Sequence, residues 1–178
     1  MMEVFLSSLA GGVIGAALTY FGVRLQSEID LKRIARACLI EMESLSDDEL
    51  VADETFYRPL LAQWKASGDI ANKELLAQIF SEGPKDHFPV YYANVGELGR
   101  FSEQVSTPLI RYHRLRSGLM ATAARVLLAE DLEKEAVRAI AGSLETQYER
   151  MMQHKATAIL GLRQMTGISP SRSVSQHQ

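Results

Sequence analysis

Four histidines are the first place to look for chemistry in this 178-residue chain: His87, His113, His154 and His177. None has a Glu three residues before it, so the Glu-x-x-His pairs of carboxylate-bridged di-metal bundles are absent, and so is His-Glu-x-x-His. His113 and His154 fall on predicted helices, facing away from or beside the apolar stripe, and read as solvated or packed side chains. The acidic group Asp47, Asp48, Glu49, Asp53 and Glu54 lacks the ligand spacing and the bend-forming glycine of a calcium loop. It reads as carboxylates in a first helical turn, where they offset the macrodipole. Arg111, Arg114, Arg116 and Arg125, with Tyr112 and His113 interleaved, offer contacts to a phosphate or an anionic partner. Arg111 and Arg114 share a face opposite the apolar stripe, as a solvated surface would. The single cysteine, Cys38, excludes an intramolecular disulfide and a Cys-rich zinc site. Neither a phosphate-binding glycine loop nor a nucleophile elbow occurs. The expectation is a chain that is not an enzyme and carries no cofactor and no metal.

The elements that position these residues begin with an N-terminal run, Val4–Val23 (VFLSSLAGGVIGAALTYFGV), without a charged side chain. A helix of that length spans ~30 Å, the thickness of a hydrocarbon core. A cleaved signal peptide would have a basic start and a small-x-small site, and Met1-Met2-Glu3 and Arg24–Ser27 supply neither. A buried core helix is the other alternative. The expected partner of the run is membrane lipid. Arg24, Lys32, Arg33 and Arg36 follow it, and by the positive-inside rule the C-terminal side is cytoplasmic. A lysis spanner of phage would need the opposite orientation. Ser7, Gly11, Gly15 and Thr19 recur every four residues, a small-residue face suited to helix–helix contact in lipid and so to a homo-oligomer. Single anchors that pair with nothing carry the same stripe.

Beyond Arg24 the helix is expected to continue as a stalk, with Leu31, Ile34, Cys38, Met42 and Leu45 on one stripe. Ser46 with Glu49 resembles a capping box opening a helix to about Ala66; Gly68 stops it, and Asp69 caps a further helix, Ile70–Phe80. Gly83-Pro84 ends that one. Pro89 suits the first turn of a short helix over Val90–Tyr92, and Asn94 with Glu97 gives a second capping box. Two long helices follow. The first, from Ser102 or Thr107-Pro108 to Ala129, carries Val105, Leu109, Tyr112, Leu115, Leu119, Ala123 and Val126. The second, Leu132–Met165, carries Leu132, Ala136, Ile140, Leu144, Met151, Ala158, Leu162 and Met165 on a looser stripe. The short link at Glu130-Asp131 makes them an antiparallel hairpin. The predicted organisation is all-α: transmembrane anchor 1–25, helical stalk 26–46, helical bundle 47–166 and a disordered tail 167–178. Apolar residues at 47%, charged residues at 23% and a net charge of −3 fit a globular domain that does not bind nucleic acid.

The stretch Tyr91–Tyr112 (YYANVGELGRFSEQVSTPLIRY) resembles a pattern in uncharacterised bacterial and phage proteins with one N-terminal membrane helix and a helical domain. Tyr91, Asn94, Leu98-Gly99 and Tyr112 carry the resemblance. It implies a bacterial or phage origin, hence the inner membrane, and no established activity. In physical terms the stretch reads as a corner: Asn94 caps the helix carrying Glu97, Gly99 takes positive φ, and Tyr91 or Tyr92 packs on the hairpin. The functional expectation is a single-pass, membrane-anchored cytoplasmic interaction module that binds a protein partner or itself. The alternative is a sensor or effector for a small ligand or phage component, with Tyr91, Tyr92, Asn94 and Arg111 as contact residues.

Overall fold

The computed structural model describes residues 2–44, 54–71, 73–74, 76–77 and 88–168, with side chains described from 19 in the first stretch and from 57 in the second. The described residues form helices and connections, with no strand among them. In chain order these are α1 (Met2–Ser44), α2 (Glu54–Ser67), a short α3 (Pro89–Ala93), a 3₁₀ turn (Val95–Arg100), α4 (Glu103–Leu128) and α5 (Lys134–Thr166). The predicted start at Ser46 and most of Ile70–Phe80 lie outside the described residues, as do 169–178 of the tail.

Among the described residues no helix is long and apolar enough to cross a membrane. The expected anchor therefore has no support from the fold. Ser7, Gly11 and Gly15 have side chains outside the described set; Thr19, the last member of that face, is exposed. The expected stalk is the part of α1 that folds into the bundle: Ala35, Cys38, Leu39 and Met42 are buried.

α5 is the central helix and packs against α4, α2 and α1. Its buried line is Val137, Ala141, Leu144, Tyr148, Met151, Lys155, Ala158 and Leu162, alternating steps of four and three. Ala136 and Ile140, expected in the core, sit at its flank. α4 shows the same alternation in Val105, Leu109, Tyr112, Arg116, Leu119, Ala123 and Val126. Seven residues make two turns at 3.5 residues per turn, so each line stays on one side of its helix and the pair closes as a coiled-coil-like seam. Leu115, expected on this line, is half-buried beside it, and Arg116 takes the core position. Two inward positions of the hairpin are thus held by cations, Arg116 and Lys155.

The ends of the bundle are set locally. α5 stops where Gly167 turns left-handed at φ 69°. The Ile168 N–H then reaches the Arg163 carbonyl (3.2 Å) and the Gly167 N–H the Gln164 carbonyl (3.4 Å), the pairing that satisfies the last carbonyls of a helix. Gly167 therefore caps α5. Arg163 reaches Glu43 of α1 through Nη2 (2.7 Å) and Nε (2.9 Å). Lys65 of α2 meets Glu145 of α5 at 2.6 Å.

Gly68 ends α2 at φ 70°, as the sequence suggests, and it also lies against the start of α5. A Cβ there would stand 2.8 Å from both Cβ and the carbonyl oxygen of Lys134. Gly68→Ala thus combines a left-handed conformation, ~1–2 kcal/mol for a residue with a side chain, with overpacking at ~1–3 kcal/mol. A loss of about 2–4 kcal/mol is expected in urea unfolding. Gly167→Ala, left-handed but with nothing near its Cβ position, should lose only the first part. Equal losses would show that the Lys134 contact is not restrictive.

Candidate functional site

The buried polar and charged residues among those described are Glu41, His113, Arg116 and Lys155. Three of them meet the corner around α3. Glu41, on the inner side of α1, accepts the Val90 N–H at 2.7 Å on one carboxylate oxygen and the Tyr91 N–H at 2.9 Å on the other. These are first-turn donors that a helix cannot bond internally. Burial raises the Glu41 pKa, against the two backbone hydrogen bonds that lower it. Its carboxyl thus ties α3 to α1 across about fifty residues of chain.

The corner then folds its rings onto α4. Tyr91 stacks on the His113 ring, centroids 3.5 Å apart and 18° between planes. Phe88 stands edge-on to the same imidazole at 4.4 Å, and Tyr112 and Tyr92 flank it at 5.0 and 6.2 Å. Arg116, one turn on from His113, lays its guanidinium carbon 4.6 Å from the Phe88 ring centre, a cation–π contact. Tyr57 of α2 and Tyr148 of α5 stack nearby. The charge of Arg116 is felt by Tyr57, Tyr112 and His113 alike. It opposes the rise that burial gives the two phenols, to about 12 for Tyr112. At His113 both effects act together, burial first and Arg116 second, and carry the imidazole from 6.5 down to about 3.

The expected contact residues do not converge. Tyr91 and Tyr92 line the His113 cluster, and the Tyr92 hydroxyl lies 3.3 Å from Ser117 Oγ. Asn94 does not cap the turn that follows it. Its amide donates to the Val90 carbonyl at 2.8 Å, closing α3 from behind. Gly99 does not take positive φ, since Gly68 and Gly167 are the described glycines that do. The corner is turned by the 3₁₀ hydrogen bonds Glu97 N–H to Asn94 carbonyl and Phe101 N–H to Leu98 carbonyl. Arg111 is exposed on another side of α4. It lines a cavity of about 490 Å³ with Glu103, Gln104, Thr107, Pro108, His154 and Thr157. A neighbouring cavity of about 470 Å³ shares Gln104 and Thr157 and reaches Gly161 and Met165.

No family model, curated protein or solved structure matches this chain. The site's chemistry is therefore read from its own groups. A general base poised for work near neutral pH has its pKa close to 7. His113 lies far below that, and burial, with the Glu41 charge second, lifts the Cys38 thiol to about 12, leaving it protonated and unreactive. Among the described residues no group of three His, Cys, Asp or Glu side chains is placed to hold a metal. What the arrangement offers is binding: a fixed cation and a neutral imidazole inside an aromatic shell.

Arg116 is the buried residue that the expected stripe misses. The signal that finds it is the phase of the α4 line. Continuing 105, 109, 112 by the next step of four lands on 116, not 115.

Proposed function

We propose that this chain is a membrane-tethered helical interaction module, with α1 serving as both anchor and core helix. The observation that carries the reading is the change of environment along this one unbroken helix. Tyr20, Phe21, Val23 and Leu25 are 60–66% exposed, and they lie on several sides of α1, whereas Ala35 to Met42 are built into the bundle. Bare apolar side chains on several sides of one helix are what a lipid environment covers, and a Tyr-Phe pair followed by Arg24 has the order of an interfacial boundary. The uncharged run Val4–Val23 precedes it. The positive residues after it support a cytoplasmic bundle at a bacterial inner membrane. The cavities at the Arg111–His154 end of the hairpin supply an accessible surface for a protein partner or a second copy.

In cell fractionation the full chain is expected in the carbonate-resistant membrane pellet. A variant lacking residues 2–23 is expected in the soluble fraction with its helical content otherwise kept, since the apolar packing of α1 on the core begins at Leu31 among the described side chains. A C-terminal reporter should be active only in the cytoplasm. Full-length protein in the soluble fraction would sink the anchor, and a periplasm-only reporter would reverse the orientation.

A further inference from the structure

We infer that Arg116 and His113 form an internal binding site for a small oxyanion, a carboxylate or a phosphate, which supplies a counter-charge that no described residue provides.

Arg116 is 4% exposed and His113 3%. Both terminal nitrogens of the Arg116 guanidinium, and Nε2 of His113, are buried without a hydrogen-bond partner among the described residues. Arginine cannot shed its proton, so its charge stays in the core. A buried charge left uncompensated is among the most destabilising features a fold can carry. The buried carboxylate among the described residues is Glu41, and its two oxygens are taken by Val90 and Tyr91. The described salt bridges involve other cations.

The geometry selects the kind of ligand. The guanidinium carbon lies over the Phe88 ring, and the capacity left to it is its two terminal nitrogens, partnerless among the described residues. These two nitrogens match an anion presenting two oxygens side by side. His113 stands one turn away on the same side of α4, and its ring is held by stacking under Tyr91 and by the edge of Phe88. A neutral imidazole there adds one N–H donor without a second positive charge, consistent with its depressed pKa. Phe88 also meets the Tyr112 ring edge to face, so aromatic side chains pack around the pair. Phe88 and Tyr91 belong to the corner pinned by Glu41, so that corner covers the site. The site is present whether or not α1 enters a bilayer.

The test is thermal unfolding of the full chain titrated with acetate, benzoate, phosphate or sulfate at ionic strength fixed by sodium chloride. A saturable rise in Tm is expected, about 5 °C or more at a hundredfold excess over Kd. Response to the carboxylates alone assigns a carboxylate site, and response to phosphate and sulfate alone assigns a phosphate site. Arg116→Met should abolish the response while being at least as stable as wild type without anion. Arg111→Met, which removes an exposed cation from the same helix, should keep it. Should Arg116→Met fail to fold, the Arg116 Nε–H resonance of the wild-type protein gives the same answer, because it moves with the anion only if the site is occupied. A response that merely follows ionic strength, one retained by Arg116→Met, or a stationary Arg116 resonance overturns the inference.

Discussion

Glu41→Ala is expected to lower the unfolding free energy by about 2–4 kcal/mol, although no other side chain hydrogen-bonds to its carboxylate among the described contacts. Its partners are the backbone N–H groups of Val90 and Tyr91, at 2.7 and 2.9 Å. Hydrogen bonds to a charged acceptor are worth ~1.5–3 kcal/mol each, and a buried donor left without one keeps its full desolvation penalty. The raised pKa of Glu41 shows that burying the charge offsets part of this gain, which places the net figure below the sum of the two bonds. Glu41→Gln keeps one acceptor oxygen and removes the charge, so it should recover about half of the loss. Because the break is local, amide exchange at Val90 and Tyr91 should accelerate more than exchange along α5. Unchanged protection of those two amides in Glu41→Ala would show that α3 is held by its rings alone.

The second large effect is a loss of stability on mild acidification, and its source is His113. In the folded protein this imidazole titrates at about 3, against 6.5 when free. A depressed folded pKa gives a contribution that is fully present above the unfolded value and is lost as pH falls. Below 6.5 the unfolded chain takes up a proton that the native state refuses, so stability falls toward pH 3 by up to ~1.4 kcal/mol per unit. Glu41 works in the opposite sense. Its raised folded pKa favours the native state below the usual carboxylate range, and that contribution is lost as pH rises through the folded value. Since the two windows overlap, the informative quantity is the difference between wild type and His113→Leu. Wild type should be destabilised by acid several kcal/mol more steeply than the variant between pH 6.5 and 4. Parallel pH profiles would mean that the ring takes a proton without resistance from Phe88, Tyr91 and Arg116.

Much of the architecture was legible because helices are local. The steps of three and four in Val105–Val126, the prolines and Gly68 place the long helices to within a few residues, since backbone hydrogen bonds and turn geometry are decided over four or five positions. The short link at Glu130-Asp131 likewise allows only a hairpin. The residues of Tyr91–Tyr112 marked a corner without its mechanism. Asn94 bonds backward, its amide donating to the Val90 carbonyl, and leaves the turn ahead uncapped by a side chain.

Which side chains meet inside is another kind of information. Glu41 bonds to residues 49 and 50 positions away, and no local pattern encodes a pair of amides that become adjacent only when α1 and α3 pack. His113 and Arg116 look like members of a solvated basic run until the phase of the α4 seam turns them inward, and the rings that enclose them come from α3 and α4 at once. The chemistry-bearing residue types were thus visible from the start as histidines and arginines on a helix. The sequence by itself determined the helices and their order, because those follow from neighbours in the chain. Only the tertiary structure decided that one arginine and one histidine are buried together without a hydrogen-bond partner among the described residues, because burial is a property of what packs on top.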